Sequence, residues 1–454
     1  MGINVVIVGG GVSGLSLAYE LKRAGEFDVI VLEREARVGG KIWTERADEG
    51  YVCEGGVNGF LDNKPGTREL AASLGLASLR SSDEARKRFV YSDGKLQRLP
   101  ESPPAFLKSG LMSWGGKLRL AMEPFIRRAP AEMDESLADF GRRRLGREAF
   151  EKLIDPMASG IYAGDPEKMS LRSCFARIHE LEQTYGSLVK GMVSLMRERK
   201  RQVSAAPAGV LTSFGGGMGD LIGALTASLG EGVVRRKSPA RSIEPMAEGY
   251  YVHLADGTRV EAEVVALACP AYAASEIVAD LDREASAAFA SIRYPSLSVV
   301  CTGYRAGEVD APVDAFGFLV PFREGRRILG TLYDSSVFTG RAPEGRVLLR
   351  TMVGGARASD VADLDDRKLV STVLGEIRSI TGLTAEPEFT RVFRHPQAIP
   401  QYNVGHSRVV EAADRLTDKH PGLYVAGNAF RGVSVNDCAH YAARLAERIS
   451  KEVA

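Results

Sequence analysis

The chain opens on a continuous apolar run, Asn4-Val-Val-Ile-Val8, broken by glycines between Gly9 and Gly14. Val12, Leu15, Leu17, Ala18 and Leu21 then recur at helical spacing. An uninterrupted β-branched run predicts a strand buried on both faces, and the 3.6-residue recurrence after it predicts an amphipathic helix. Gly25 predicts the helix end. Val29-Ile-Val-Leu32 predicts a second buried strand ending at Glu33, so the start of a βαβ unit is expected.

Further along, the periodicity changes. From about 103 to 201 the pattern is helical and rich in arginine, and 202–209 reads as a linker. A glycine cluster, Phe214-Gly-Gly-Gly-Met-Gly219, precedes another helix. Strands are predicted around Val233 and Val234, at Tyr250–Leu254 and as a buried run at 263–268. Between 296 and 394 strand-like runs recur at 298–302, 316–320, 327–332 and 347–352, with a helix at 369–380. The last segment predicts a strand at 422–427, a glycine-bearing loop and a helix to about Val453. Internal repeats and low-complexity tracts are absent from the sequence.

The 454 residues suit two or three domains, and 44% hydrophobic with 26% charged residues suits a globular enzyme. Lys plus Arg number 59 against 58 Asp plus Glu, which gives no reason to expect nucleic acid as a partner. The five cysteines, Cys53, Cys174, Cys269, Cys301 and Cys438, are scattered and form no C-x-x-C. Neither a disulfide scaffold nor structural zinc is expected. The six histidines have no metal-ligand spacing, so no metal is expected. With a strand begun by Ile3 and no apolar run near ~18 residues, a cytoplasmic protein is expected, with contact to a membrane surface open.

Gly9-Gly-Gly11-Val-Ser13-Gly14 fits G-x-G-x-x-G between a strand and a helix. Gly9 allows the tight turn, Gly11 lets backbone approach a pyrophosphate, and Gly14 lets helix and strand pack closely. The pyrophosphate would sit on unpaired N–H groups at the helix start, around Ser13. Glu33 is placed to accept hydrogen bonds from adenosine ribose hydroxyls and would repel a 2′-phosphate, so NADP is disfavoured. Arg37-Val-Gly39-Gly40-Lys41 follows at once. Paired glycines let the chain fold back over a dinucleotide, and Arg37 or Lys41 could counter its charge. Ordinary alternatives are a loop for the first motif and a turn with solvated basic residues for the second.

The second motif resembles the R-x-G-G signature of FAD-binding amine oxidases, desaturases and protoporphyrinogen oxidases. A third block, Gly422-Leu-Tyr-Val-Ala-Gly427-Asn428 with Gly432 and Asp437, resembles the C-terminal flavin motif of the same superfamily. The resemblance implies non-covalent FAD, with Gly427 beneath the cofactor, Asp437 on a ribityl hydroxyl, and backbone near Val435 and Asn436 facing the flavin. Gly56 and Val234 join the expected cofactor set. A covalent thioether from Cys438 is conceivable.

Other blocks resemble the protoporphyrinogen oxidase family and its bacterial relatives acting on coproporphyrinogen. They are Glu54-Gly-Gly-Val-Asn58-Gly-Phe60, Lys87-Arg88-Phe89-Val90-Tyr91, Ser159-Gly-Ile-Tyr-Ala-Gly-Asp165, Phe316-Gly-Phe-Leu-Val-Pro321, Met352-Val-Gly-Gly355 and Ile399-Pro-Gln-Tyr402. A porphyrinogen is a broad apolar ring with propionates on one edge, so its pocket needs apolar walls and a cation or two. Phe316, Leu319 and Met352 are the expected walls, Gly160 and Gly317 would let the ring lie close to the flavin, and Arg88 would hold a propionate. Without the resemblance these apolar residues would read as core and Arg88 as a solvated charge.

No catalytic side chain is evident, because the flavin carries the redox chemistry and the protein orients the substrate. The resemblance implies three two-electron oxidations, each followed by reoxidation with oxygen to give hydrogen peroxide. The expected fold is p-hydroxybenzoate-hydroxylase-like, with a Rossmann-like α/β FAD domain (1–65, 203–280, 395–454) and a mixed α/β substrate domain (66–90, 281–394). A helical domain (91–202) is expected to lie on the cytoplasmic membrane, because residues 103–128 interleave apolar and basic side chains. Its alternative is a helical lid with a basic outer face. A homodimer stays open. Protoporphyrinogen is the expected substrate, with coproporphyrinogen next. Amine oxidation, which would need an aromatic cage at the flavin, and a non-enzymatic carrier are the rivals.

Overall fold

A computed structural model describes residues 2–201 and 209–453; the expected linker at 202–209 lies, apart from its last residue, outside the described residues. The first strand, Ile3–Val8, sits at the centre of a five-stranded, all-parallel sheet. Across the sheet run Val234–Arg235, Phe27–Leu32, Ile3–Val8, Val264–Leu267 and Leu423–Val425. A central parallel strand is covered on both faces, which is why Val5, Val6, Ile7 and Val8 are all buried. One face carries the helices Val12–Ala24, Gly219–Leu229 and Val435–Val453, packed through Leu15, Leu221 and Leu445. The other face carries a three-stranded antiparallel sheet and the helices Ala271–Ile277, Arg283–Ala290 and His406–Lys419. Gly25 ends the first helix with φ 84°, in the left-handed conformation expected of it.

A seven-stranded sheet forms a second layered unit, in the order Phe389–His395, Leu297–Arg305, Arg346–Gly354, Gly330–Leu332, Gly317–Leu319, Arg88–Ser92 and Lys95–Arg98. All neighbours are antiparallel except Gly317–Leu319 with Arg88–Ser92. Helix Asp366–Thr381 covers one face through Leu369, Val373, Ile377 and Ile380, a stripe at i, i+4, i+8 and i+11. The hairpin Thr44–Arg46/Val52–Glu54 approaches the other face, where Tyr51 stacks on Phe389 at 4.4 Å. The strand Lys95–Arg98 continues this sheet, so strand structure extends past residue 90, where the helical segment was expected to begin.

Between the sheets' segments the chain builds a helical body that includes Leu137–Arg144, Asp155–Tyr162, Ala176–Tyr185 and Leu188–Arg201. Its centre holds fully buried Arg144, which pairs with Glu123 at 3.0 Å and with Glu182. Such a buried pair adds little net stability over apolar packing, but removing one partner would strand a charge. Arg357 ties this body to the seven-stranded sheet through Asp155 at 2.6 Å and the Ser159 hydroxyl at 2.6 Å. Among the described residues no helix is long and apolar enough to cross a membrane.

Candidate functional site

Three expected motifs, separated by most of the chain, meet at the C-terminal end of the parallel sheet. Gly9 has φ 115°, and a Cβ on it would stand 2.7 Å from the Ala268 carbonyl oxygen. A Cβ on Gly14 would be driven into the Gly9 carbonyl oxygen. Gly11 is different: its nearest neighbour is the Gly40 Cα, 3.9 Å from where a Cβ would stand. The paired glycines fold onto this loop, with Gly39 N–H donating to the Gly10 carbonyl at 2.7 Å and Gly39 bridging Gly11. Helix Val12–Ala24 starts at Gly11 with no side-chain cap and no acidic residue in its first turn. Uncapped donors beside bare glycine backbone fit the pyrophosphate of a dinucleotide.

Glu33 lies at this loop and also holds it. One carboxylate oxygen accepts the Gly10 N–H at 2.8 Å, and the other accepts the Glu35 N–H at 2.8 Å. Each oxygen keeps a lone pair for a ribose hydroxyl. Val234, at the sheet edge, pairs with Val31 two residues before Glu33. The basic residues of the second motif reach backbone carbonyls of the loop and its neighbours. Arg37 donates to the carbonyls of Val38 (2.9 Å), Ile42 (2.8 Å) and Gly40 (2.7 Å) and lies 5.0 Å from the Trp43 ring centroid. It buckles its own loop, because a tight glycine turn leaves carbonyls that a guanidinium fork can gather. Lys41 donates to the Gln397 carbonyl, and burial lowers its pKa to about 8. Both side chains spend donors on backbone carbonyls, so any charge they offer a pyrophosphate comes from loops that they themselves hold in place.

The C-terminal motif follows strand Leu423–Val425, with Gly427 at φ 104° and Gly432 at φ 111°. Asp437 and Ser434 form a reciprocal cap on the last helix. Ser434 Oγ accepts the Asp437 N–H at 3.1 Å, and the Asp437 carboxylate accepts the Ser434 N–H at 3.3 Å. The other Asp437 oxygen takes Lys64 at 2.8 Å. A Cβ on Gly432 would stand 2.5 Å from the Asp437 Cβ, so this glycine makes room for the cap. Val435 and Asn436 are buried at the helix start, and Asn436 ties it to the Leu61 carbonyl at 2.8 Å. Burial raises the Cys438 thiol to about 11, which favours its protonated form.

Sequence reasoning missed the anchors of the Glu54-Gly55-Gly56 strip. Buried Arg350 donates to the Glu54 carbonyl at 2.7 Å and to the Gly56 carbonyl, while His395 Nε2 meets the Gly55 carbonyl at 2.7 Å. A Cβ on Gly56 would strike the Lys41 carbonyl oxygen, so this strip is pressed against the R-x-G-G loop. The signal was an arginine in an apolar strand run, Arg346-Val-Leu-Leu-Arg350-Thr-Met352. Glu54 itself is fully buried, accepting Met218 N–H at 2.6 Å and the Thr44 hydroxyl at 2.7 Å. Desolvation raises its pKa to about 7 despite these donors and Arg341 at 3.7 Å. Asp334, also buried, has its carboxyl pushed up by burial and takes the Asn58 amide at 3.2 Å.

The expected substrate residues fall on one sheet. Leu319, Gly330 and Met352 stand opposite one another across three strands, so they share a face. Leu319 and Met352 are half-buried, and a Cβ on Gly160 would stand 2.8 Å from a Leu319 methyl. Gly160 therefore lets the helix Asp155–Tyr162 close onto Leu319. Gly317 answers a different demand from the one expected. Its φ of 129° and the Thr331 carbonyl, into which a Cβ would project, make it a requirement of the strand pairing itself. Arg88 is exposed and lies 4.9 Å from the Phe316 ring centroid, with Lys87 paired to Asp314 at 2.5 Å beside it. Phe316 packs on Ala85, Val337 and Phe338 rather than in the Leu319 row. Among the described residues no cluster of His, Cys, Asp or Glu could hold a metal.

The flavin-containing amine oxidoreductase family model matches residues 12–450. The chain is 36% identical over 472 aligned residues to the chloroplastic protoporphyrinogen oxidase of Oryza sativa subsp. japonica, covering 98% of this chain and 88% of that protein. It is 30% identical to the coproporphyrinogen III oxidase of Bacillus subtilis (strain 168), covering 96% and 95%. A crystal structure of a provisionally named protoporphyrinogen oxidase from Exiguobacterium sp. 255-15 matches with a TM-score of 0.86 at 28% identity, over 100% of this chain and 99% of that one. A reduced UDP-galactopyranose mutase shares the fold alone, with a TM-score of 0.75 at 15% identity over 99% and 94%. With the dinucleotide loop, the paired-glycine fold-back and the capped last helix in their expected order, the chain belongs to the flavin-containing amine oxidoreductase family.

Proposed function

We propose that this flavoenzyme oxidises a porphyrinogen to a porphyrin, with protoporphyrinogen IX as its substrate. Likeness to porphyrinogen oxidases over nearly the whole chain, at 36% and 30% identity, carries the reading. FAD, when bound, supplies the two-electron oxidising chemistry. The chain's part is to hold and orient: the Gly11–Ser13 turn and Glu33 for the nucleotide, the Arg350-anchored strip at Gly56, and the apolar row Leu319–Gly330–Met352 for a flat ring. Arg88 is the cation offered to a propionate.

The balanced reaction removes six hydrogens and consumes three oxygen molecules, giving protoporphyrin and three hydrogen peroxide. Oxygen as acceptor is part of the proposal. So is a cytoplasmic enzyme peripheral to the membrane, which the exposed Trp114 (75%) and Phe125 (85%) favour. The basic outer face is narrower than the sequence suggests. Lys117 is buried on the Leu107 and Ser109 carbonyls, and Arg119 turns to the Arg143 carbonyl at 2.6 Å.

Coproporphyrinogen oxidation is the second reading, favoured by the B. subtilis relative and by one from Staphylococcus aureus (strain NCTC 8325 / PS 47), each 30% identical. Parallel assays of both porphyrinogens, read by porphyrin fluorescence, decide between them. Faster turnover of protoporphyrinogen is expected, and faster turnover of coproporphyrinogen reverses the order. Amine oxidation would need an aromatic cage at the flavin, and Phe430, the aromatic of the C-terminal loop, is instead buried edge-on against Phe289 at 5.0 Å.

A further inference from the structure

We infer that Tyr402 is a positioning residue that sets the width of the loop at the flavin end of the site, between Gly427 and Ser434. This rests on the FAD reading and adds a residue to it. One phenol oxygen spans the loop: it donates to the Asn428 carbonyl at 2.6 Å and accepts the Gly432 N–H at 3.1 Å. The ring is 3% exposed and stacks on His406 with centroids 3.9 Å apart and planes 13° apart. Burial holds the phenol's pKa well above its usual value and lowers His406 to about 4, so both stay neutral at pH 7.

The oxygen can act as a fixed peg only if the tyrosine's own backbone is held, and it is held from the helical body. Ser170 N–H donates to the Tyr402 carbonyl at 2.8 Å, and the Cys174 thiol approaches the same oxygen at 3.4 Å. Gln401 donates to the Tyr162 carbonyl at 2.9 Å, and Met169 bridges Asn403. Asp134 takes Ser170 Oγ at 2.5 Å and Gly405 N–H at 2.7 Å. The flavin-end loop is therefore braced by a residue 26 and 30 positions before its two partners in the chain, itself clamped by the helical body. Loop width matters here because Gly432 and the Ser434–Asp437 cap aim the first turn of the last helix.

The test is Tyr402→Phe, which keeps the ring and its stack and removes the oxygen. Tyr51→Phe is the control, since it deletes a buried phenol bonded to Glu388 at 3.1 Å, in the packing of the hairpin against Phe389 and outside the flavin motif. FAD is titrated into apoprotein, and visible circular dichroism is recorded on the loaded proteins. Tyr402→Phe is expected to raise the FAD dissociation constant about tenfold and alter the flavin dichroism, with Tyr51→Phe leaving both unchanged. A constant within twofold of wild type, or equal losses in both variants, overturns the inference. Hydrogen exchange of the wild-type holoenzyme gives a check that needs no variant: a Gly432 amide as labile as an unprotected peptide also overturns it. Wild-type protein that takes up no FAD would instead sink the family-based reading.

Discussion

Glu54 shows how a buried carboxyl becomes a measurable property. Its pKa rises from 4.5 to about 7 because desolvation outweighs its hydrogen bonds and the nearby Arg341 and Arg350. Between those values the folded protein keeps a proton that the unfolded chain has released. Stability therefore falls as pH rises through the window, by on the order of 3 kcal/mol, and levels off above about 7. Urea unfolding of wild type and Glu54→Gln at pH 5 and pH 8 should show a shallower pH dependence in the variant by that amount. Asp334 shifts in the same direction in both proteins and cancels from the comparison. Equal slopes would remove Glu54 as the source. Arg88 poses the opposite case, an exposed cation that does not enter the fold's buried ion pairs. Arg88→Ala should raise the KM for porphyrinogen several-fold with FAD content and thermal midpoint unchanged. An unchanged KM would place the propionate elsewhere.

At the scale of elements, helix starts govern the cofactor site. The first helix leaves its start uncapped for a ligand, whereas the last helix satisfies its own through Ser434 and Asp437. Ser434→Ala should cost about 1 kcal/mol in unfolding free energy, the usual worth of an N-cap hydroxyl. It should also weaken FAD binding, because the cap sets the orientation of Val435. Gly14→Ala is a harsher test, since its methyl would meet the Gly9 carbonyl between packed strand and helix. Purified variant is expected to be free of FAD; yellow protein with wild-type occupancy would contradict that packing.

Over the whole molecule, two arginines tie the second sheet to its neighbours, one buried and one half-buried. Arg350 fastens the seven-stranded sheet to the Glu54–Gly56 strip, and Arg357 fastens it to the helical body. The face carrying Trp114, Leu118, Met122 and Phe125 remains open to solvent. Replacing Trp114 and Phe125 together with serine should reduce co-sedimentation with vesicles rich in anionic lipid at least threefold. Turnover of detergent-dispersed porphyrinogen should stay unchanged. Retained binding would assign membrane contact to another face.

The parallel sheet, its glycine turn and the helix from 435 were legible in the sequence because they are local. A β-branched run, a left-handed glycine and a 3.6-residue stripe each state their conformation within a few residues. The same holds for helix Asp366–Thr381 and most strands of the second sheet. What only the tertiary structure decided is where long polar side chains point. Arg37, Lys41, Lys117 and Arg350 are equally plausible as solvated charges until packing fixes which carbonyls lie within reach. Gly317 and Gly160 look alike in sequence, yet one serves a strand's own geometry and the other a helix closing on Leu319. Tyr402's partners lie 26 and 30 residues away in the chain, and their approach depends on a helical body whose contacts no local pattern encodes.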